Sequence, residues 1–194
     1  MKGAKHTLPL LLTTLPFFLA GCGHGSAPDE SAAPAASAAA PAVVVAPPEP
    51  PVPASTATLA LASPDTLSAA TFGGVCSIDG VGGGGVLPAG KAFTVSKANG
   101  AELKGWAITA DKRDPGKIDI VLKGNQVYSG AATTGQPRPD IAKAYGGAAL
   151  DHAGFLVHVD AKAVAAGTYD VLILEPSSTP ISICDTHKQV IVGD

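Results

Sequence analysis

Residues 117–123 read Lys-Ile-Asp-Ile-Val-Leu-Lys, and the apolar side chains of Ile118, Ile120 and Leu122 recur at every second position. A period of two places these three side chains on one face of a β-strand. Gly124-Asn125 follows directly and is typical of a tight hairpin turn, after which the chain should return as a neighbouring strand. The segment therefore predicts an antiparallel hairpin with one buried face.

Segments on either side of this hairpin predict further strands. Phe155, Val157 and Val159 share the same period and should face the core. Thr168 to Glu175 is apolar enough on both faces to be a central strand. With the hairpin, about eight strands are expected, the others being Ala92 to Ser96, Lys104 to Thr109, Ile181 to Cys184 and Gln189 to Val192.

Short helical turns should interrupt the strands, because capping residues, prolines and glycines lie in the order that starts and ends a helix. Three are expected: from Ser63-Pro64-Asp65 towards Gly73, from Arg138-Pro139-Asp140 to Gly146, and from Asp160 to Gly167. The pattern lacks the long alternating helices that connect parallel strands. It predicts a mainly β fold for residues 59–194, a single antiparallel immunoglobulin-like β-sandwich preceded by a disordered tether.

Residues 1–21 have the layout of a secretory signal peptide. Lys2 and Lys5 precede an apolar run from Leu8 to Phe18, which is shorter than the roughly 20 residues that a helix needs to cross a bilayer. The run leads into Leu19-Ala20-Gly21-Cys22. This tetrapeptide resembles the processing signal of bacterial lipoproteins; the alternative is an ordinary signal peptide with a chance cysteine.

The resemblance implies that Cys22 becomes the first mature residue and carries a diacylglyceryl group, while its new amino group receives a further acyl chain such as palmitate. A thiol is nucleophilic enough for this modification. Two or more acyl chains give stable membrane anchoring. By the sorting habit of Gram-negative lipoproteins, Gly23 after the cysteine implies the outer membrane, and the periplasmic face is expected rather than the cell surface.

Residues 22–58 are predicted to be the lipidated cysteine followed by a disordered linker. From Ser26 to Ala57 the chain has 8 Pro and 12 Ala, no aromatic residue and three charges. Such a segment buries too little apolar surface to offset the entropy of ordering it. Proline-rich tethers favour the extended polyproline II conformation, so the segment should act as a spacer.

The charge balance argues against nucleic acid as a partner. The chain has 13 basic and 16 acidic residues, and loss of Lys2 and Lys5 with the leader gives 11 − 16 = −5. A mildly acidic chain offers no basic face for phosphates. The expected partners are the membrane, through the lipid, and an envelope protein or polysaccharide, while the oligomeric state stays open.

Two cysteines, Cys76 and Cys184, remain once Cys22 is assigned to the lipid. An even pair in an exported chain predicts a disulfide. A metal site is the competing interpretation, but two isolated cysteines without neighbouring ligands do not complete a tetrahedral shell.

A family resemblance covers about residues 74 to 192. Its motifs are Gly105-Trp106-Ala107 with Asp111, Arg138-Pro139-Asp140-Ile141, Gly154-Phe155, and Gly167-Thr168-Tyr169. This series resembles a small immunoglobulin-like β-sandwich module that is appended to bacterial membrane glycosyltransferases and other envelope proteins. The membrane-spanning transferase part is not in this sequence, so the resemblance implies a fold and no catalytic role.

Two motifs raise the question of a cofactor or metal. Gly85 to Ala92 is similar to a phosphate-binding loop, but Ala92 takes the position of the hydroxyl residue that holds magnesium. His152 and His158 have Asp151 and Asp160 nearby, without the helical i, i+4 spacing of zinc enzymes. We therefore expect neither a cofactor nor a metal.

No motif indicates a catalytic nucleophile. The chain has no Gly-x-Ser-x-Gly elbow, and Asp111-Lys112-Arg113-Asp114-Pro115-Gly116 has the composition of a charged turn. We expect a non-enzymatic protein. The alternatives are an envelope polysaccharide-modifying enzyme or its accessory subunit, and a purely structural spacer.

Four residues form the candidate binding patch: Tyr128, Arg138, Asp140 and Tyr145. They fall within one hairpin and the helical turn after it, so they could cluster on the surface. In the competing interpretation, Arg138 and Asp140 hold their own loop together while the tyrosines cover the core. If the patch is real, the protein is an outer-membrane lipoprotein that presents a binding or accessory module in the envelope.

Overall fold

The computed structural model of the chain describes residues 52–63, 65–82, 87 and 92–194. All of them belong to one compact unit, Pro47–Asp194. The predicted leader, Cys22 and most of the predicted tether lie outside the described residues. So does the segment that is similar to a phosphate-binding loop, except for Leu87 and Ala92.

The described residues form eleven strands, two short α-helices and one 3-10 turn. The strands are β1 Ser55–Thr58, β2 Ala60–Leu61, β3 Thr71–Phe72, β4 Val75–Val81, β5 Phe93–Ser96, β6 Ala101–Ile108, β7 Lys117–Lys123, β8 Val127–Thr133, β9 Gly154–Asp160, β10 Gly167–Glu175 and β11 Ser182–Gly193. The helical segments are α1 Asp65–Ser68, α2 Pro139–Tyr145 and the 3-10 turn Ala148–Leu150.

The strands form two sheets, which confirms the predicted mainly β sandwich. Sheet A has the order β1-β9-β6-β4, and sheet B has the order β2-β8-β7-β10-β11-β3 with β5 also paired to β11. The long pairings, β4 with β6, β6 with β9 and the β8-β7-β10-β11 series, are antiparallel as expected. Three short pairings at the periphery are parallel: β1 with β9, β3 with β11 and β5 with β11.

The predicted hairpin is the centre of sheet B. β7 pairs with β8 from Lys117↔Thr133 to Lys123↔Val127, so the connection has three residues rather than the expected two. On β7, Ile118, Ile120 and Leu122 are all buried, as the two-residue period predicts. Their side chains form the main core with the buried side of β9.

That side of β9 consists of Phe155, Val157 and Val159, which are at most 1% exposed and confirm the second predicted strand face. The predicted disulfide is confirmed as well: Cys76 of β4 and Cys184 of β11 are bonded, with 6.1 Å between their Cα atoms. Because β4 belongs to sheet A and β11 to sheet B, the bond joins the two sheets.

Helical segments cover part of the outer face of each sheet. On sheet A, Trp106 and Ile108 pack against Ile141 and Ala142 of α2 and against Leu150. The C-cap of α2 is Gly146, as predicted, in the left-handed conformation with φ 98° that glycine adopts without steric cost.

On sheet B, Val121, Leu172, Leu174 and Ile183 form a smaller cluster, against which Leu67 of α1 packs. α1 begins after Ser63 as predicted, with the Asp65 amide donating to Ser63 Oγ at 3.3 Å. It ends at Ser68 rather than near Gly73, because the chain enters β3 at Thr71.

The folded domain begins earlier than its predicted boundary at residue 59. β1, Ser55–Thr58, lies in the segment assigned to the linker, and it pairs in parallel with β9. Ala57 and Leu59 are fully buried in the main core. The chain then crosses to sheet B at β2, so residues 55–61 contact both layers.

Two other predictions of local structure were wrong. The two strands expected at Ile181 to Cys184 and at Gln189 to Val192 are one strand, β11, which begins at Ser182 and whose pairing with β10 shifts between Val171 and Leu172. The residues between the two expected strands form this irregularity, in which His187 has a φ of 53°. After Asp160 the chain forms a turn rather than a helix, in which the Lys162 amide donates to Asp160 Oδ1 at 3.1 Å.

Candidate functional site: a groove around Arg138

The four residues of the predicted patch lie in three different environments. Tyr128 is 4% exposed in the main core, its hydroxyl donates to Gln126 Oε1 at 2.5 Å, and its ring packs edge-on against Tyr169. Tyr145 packs on Trp106, with 5.4 Å between the ring centroids. Arg138 and Asp140 remain together at the surface beside α2.

Arg138 is the centre of a three-residue ion-pair network. Its Nε donates to Asp140 Oδ1 at 2.9 Å and its Nη2 donates to Asp140 Oδ2 at 2.8 Å, which is the bidentate geometry that suits a guanidinium and a carboxylate. Its Nη1 donates to Asp79 Oδ2 at 2.6 Å. No sequence pattern pointed to Asp79, which comes from β4, 59 residues earlier in the chain.

The backbone around Arg138 is fixed on both sides. Its amide donates to the Asp151 carbonyl at 2.6 Å, and its own carbonyl accepts from the amides of Ile141 and Ala142 at 3.0 and 3.1 Å as α2 begins. Pro139 occupies the first turn of α2, where a missing amide hydrogen costs nothing. Arg138 is therefore held by the start of a helix whose other side is buried.

A glycine in sheet A makes room for the stem of the Arg138 side chain. A Cβ atom on Gly154 would come within 2.7 Å of Arg138 Cγ and within 2.7 Å of the Gln136 carbonyl oxygen. Real Cβ atoms essentially never approach other atoms so closely. The absence of a side chain on Gly154 therefore leaves room for Arg138, which reaches Asp79 on the edge strand β4.

The Arg138 network forms one wall of a groove of about 820 Å³ on the outer side of sheet A. Ligand sites commonly have volumes of about 300 to 1,000 Å³. The lining of the groove combines polar and apolar surface, and its charged residues are Asp79, Glu102, Lys104, Arg138 and Asp140. The apolar lining residues are Val81, Pro137, Phe155 and Leu156.

The ion pairs shift two ionisation equilibria in the groove. The hydrogen bonds from Arg138 are the largest cause of the fall in the pKa of Asp140 from 3.8 to about 2. The same contacts, led by Asp140, raise the pKa of Arg138 above its ordinary value. Both groups are charged throughout the neutral range, so the groove presents fixed charges rather than a group ready to exchange a proton.

The network leaves hydrogen-bonding capacity for a ligand. An arginine has five N–H donors, and contacts within the described residues occupy three of those of Arg138. A carboxylate offers about four acceptor positions. The remaining donors of Arg138 and acceptors of Asp79 and Asp140 lie side by side, which suits a ligand that carries many hydroxyl groups.

The histidines and acidic residues considered for a metal are not brought together. In the described part of the chain, no group of three or more His, Cys, Asp or Glu side chains could hold a metal ion. His158 is exposed on β9, where it lies opposite Glu102 of β6, and His187 is exposed at the irregularity of β11. A search of the same described residues finds no helix that is long and apolar enough to cross a membrane.

Comparison with known proteins gives no relative from which a role could be carried over. No protein-family model, no curated protein and no solved structure matches this chain. The functional interpretation therefore depends on the geometry of the groove and on the sequence of the leader.

Proposed function

We propose that the chain is a non-enzymatic outer-membrane lipoprotein that presents its β-sandwich as a binding module in the cell envelope. The leader sequence with Leu19-Ala20-Gly21-Cys22 supports the lipid anchor, and the proline-rich segment after it supports a spacer. The observation that carries the binding role is the groove at Arg138, in which one guanidinium is fixed between two carboxylates.

The ligand class that fits the groove best is a cell-envelope polysaccharide. Its hydroxyl groups both donate and accept hydrogen bonds, and the groove offers donors at Arg138 and Lys104 beside acceptors at Asp79, Glu102 and Asp140. The charged lining residues are of both signs, three acidic and two basic, so a neutral or weakly charged chain of sugars is favoured over a polyanion.

The electrostatics of the groove favour binding over catalysis. A carboxyl group that acts as a general acid near neutral pH needs a raised pKa. The pKa of Asp140 is instead lowered to about 2 by Arg138, and Asp79 also accepts a hydrogen bond from that guanidinium. Two carboxylates held by one arginine serve recognition better than proton transfer.

The binding role is tested by titrating isotope-labelled residues 47–194, the compact unit, with envelope glycan fragments while recording amide NMR spectra. We expect saturable shifts at Lys104, Gly105 and Arg138. Arg138→Gln should abolish them, whereas Arg113→Gln, which removes an exposed arginine from another loop, should not. Shifts that persist in Arg138→Gln would show that the fragments bind at another site. If no fragment causes shifts, the binding role is contradicted and the structural-spacer role is favoured.

The anchor is tested on the full chain expressed in a Gram-negative host. We expect the protein in the outer-membrane fraction, with an intact mass that corresponds to a chain starting at Cys22 and carrying acyl groups. Cys22→Ser should release it into the soluble fraction or leave its leader uncut. An unacylated wild-type chain that starts at another residue would contradict the anchor and leave the binding role to be judged separately.

A further inference from the structure

A second candidate site lies at the end of the sandwich, away from the Arg138 groove. Three connections meet there: Gly73-Gly74 between β3 and β4, residues 109–116 between β6 and β7, and residues 176–181 between β10 and β11. They surround a cavity of about 490 Å³, which we call the loop-end cavity. The lining residues that matter here are Phe72, Gly73, Asp111, Arg113 and Ser182.

Two buried polar side chains, one in the lining of this cavity and the other its neighbour across the β10–β11 ladder, have no hydrogen bond of ordinary geometry among the described residues. Ser182 lines the cavity and is 5% exposed, and its Oγ has no partner. Glu175 is 0% exposed, and neither of its carboxylate oxygens has a hydrogen bond of ordinary geometry, although the Ser182 side chain is close enough to act on its pKa. Within the described chain, Glu175 is the one charged residue that is fully buried. Buried polar groups without partners are rare in folded proteins and call for an explanation.

The two side chains are direct neighbours. Glu175 is opposite Ser182 in the antiparallel ladder of β10 and β11, so their side chains project from the same face of sheet B, about 5 Å apart at Cβ. The Gly73-Gly74 backbone packs against both. A Cβ atom on Gly73 would lie 3.2 Å from Ser182 Oγ, and one on Gly74 would lie 2.8 Å from Glu175 Oε1. Ser182 therefore stands between the cavity and the carboxyl group of Glu175.

The charged residues and the aromatic rim of the cavity indicate that its ligand is a cation. Asp111, Asp114 and Arg113 line it, so its fixed charge is negative before Glu175 is counted. Thr109 and Arg113 bind Asp111 and lower its pKa, which keeps that carboxylate charged. Phe72 at the rim is 73% exposed, and an aromatic face attracts organic cations.

We propose that the loop-end cavity binds a primary ammonium group, which donates a hydrogen bond to Ser182 Oγ while the Ser182 hydroxyl donates to the Glu175 carboxylate. This arrangement supplies a partner for Ser182 Oγ and for one of the two Glu175 carboxylate oxygens, since a serine hydroxyl has one donor and two acceptor sites. An amino sugar or a lysine side chain carries such a group. A metal ion fits less well, because the described residues provide no cluster of three ligands.

The ionisation of Glu175 couples ligand binding to pH. Burial is the largest cause of the rise in the pKa of Glu175 from 4.5 to about 7; Asp111 adds to the rise and Ser182 opposes it. The ammonium group needs the ionised carboxylate, and its binding strength should follow the ionised fraction. Affinity should therefore be about tenfold weaker at about pH 6 than at about pH 8.

The test uses oxidised, isotope-labelled residues 47–194 and n-butylammonium as the probe, with 1-butanol and tetramethylammonium as matched controls. The alcohol has no charge, and the quaternary ion has no N–H donor. The probe stays protonated up to about pH 8, because alkylammonium groups lose their proton at a pKa near 10.4. We expect saturable amide shifts at Gly73 and Ser182 with n-butylammonium, and at least about tenfold weaker binding of both controls.

Two variants separate this site from a non-specific effect. Ser182→Ala should weaken binding of n-butylammonium about tenfold or more. Glu175→Gln should weaken it at about pH 8 and remove its pH dependence. Equal binding of the alcohol, an affinity unchanged in Ser182→Ala, or equal wild-type affinity at both pH values would each overturn the proposal. Because the Arg138 groove lies elsewhere, none of these outcomes bears on the proposed function.

Discussion

Replacing Glu175 with glutamine should change how the stability of the domain depends on pH. In the folded domain the carboxyl group keeps its proton up to about pH 7, whereas its ordinary pKa of 4.5 applies in the unfolded chain. Between these values the native state binds more protons than the unfolded state, so the free energy of unfolding falls as the pH rises. The stabilisation is fully present below pH 4.5 and is lost as the pH passes about 7.

The size of the effect follows from the two pKa values. Their separation corresponds to about 3 kcal/mol, since one pKa unit is worth 1.36 kcal/mol. Complete burial of both carboxylate oxygens justifies using the whole separation. Glutamine has nearly the same shape as a protonated glutamate and cannot ionise. The variant should therefore lack the pH-dependent contribution of residue 175 to the free energy of unfolding. Asp111 and Asp140, whose lowered pKa values matter in acid, are present in both proteins.

The assay is urea unfolding of wild type and Glu175→Gln in phosphate buffer free of amines, with the disulfide intact. The wild-type free energy of unfolding, taken relative to that of the variant, should fall by about 3 kcal/mol between about pH 4.5 and about pH 8. A relative stability that does not change with pH would refute the account of Glu175. A smaller fall that is complete well below pH 7 would show that the carboxyl group is not isolated from water.

Three further perturbations test other parts of the fold and the groove. Replacing Cys76 and Cys184 by serine together should lower the free energy of unfolding by about 4 kcal/mol, because the disulfide closes a separation of 108 residues; an unchanged urea midpoint would contradict this. The side-chain carboxyl carbon of Asp140 should titrate near 2 in wild type and near its ordinary 3.8 in Arg138→Gln, as followed by NMR. Gly154→Ala should destabilise the domain by about 1 to 3 kcal/mol and displace the Arg138 side chain, whereas a change below about 0.5 kcal/mol would mean that the close contact is not tight.

Local sequence patterns were sufficient for the hairpin and the core. The two-residue period of Ile118, Ile120 and Leu122 depends only on the alternation of side chains along a strand, and all three are buried. The disulfide could be inferred because only two cysteines remained to pair. The first prediction uses the order of a few neighbouring residues, and the second uses only the number of cysteines.

Features that depend on distant pairing could not be predicted. Ser55-Thr56-Ala57-Thr58 has the composition of the tether before it, and it is a strand only because β9, a hundred residues later, offers a free edge. Glu175 looks like the polar end of an apolar strand. Its burial results from Gly73-Gly74 closing over it, which no local pattern shows.

The sequence indicated only part of the ion-pair network around Arg138, because one of its members comes from a distant strand. Arg138 and Asp140 are two residues apart, so their pairing is local, whereas Asp79 reaches them only through the β4–β6–β9 order of sheet A. Tyr128 is buried because the connection of the hairpin has three residues, which pairs Tyr128 with Leu122. The expected two-residue turn would have paired it with Val121, on the opposite face of the strand.

The binding role of the groove is tested most directly in living cells, with the full chain in its own envelope. A photo-crosslinking amino acid at Lys104, an exposed groove residue, is compared with the same amino acid at Lys123, an exposed residue of sheet B outside the groove. Our account predicts an adduct from position 104 that is lost when Arg138→Gln is added, and none from position 123. No adduct from position 104, or equal adducts from both positions, would contradict it.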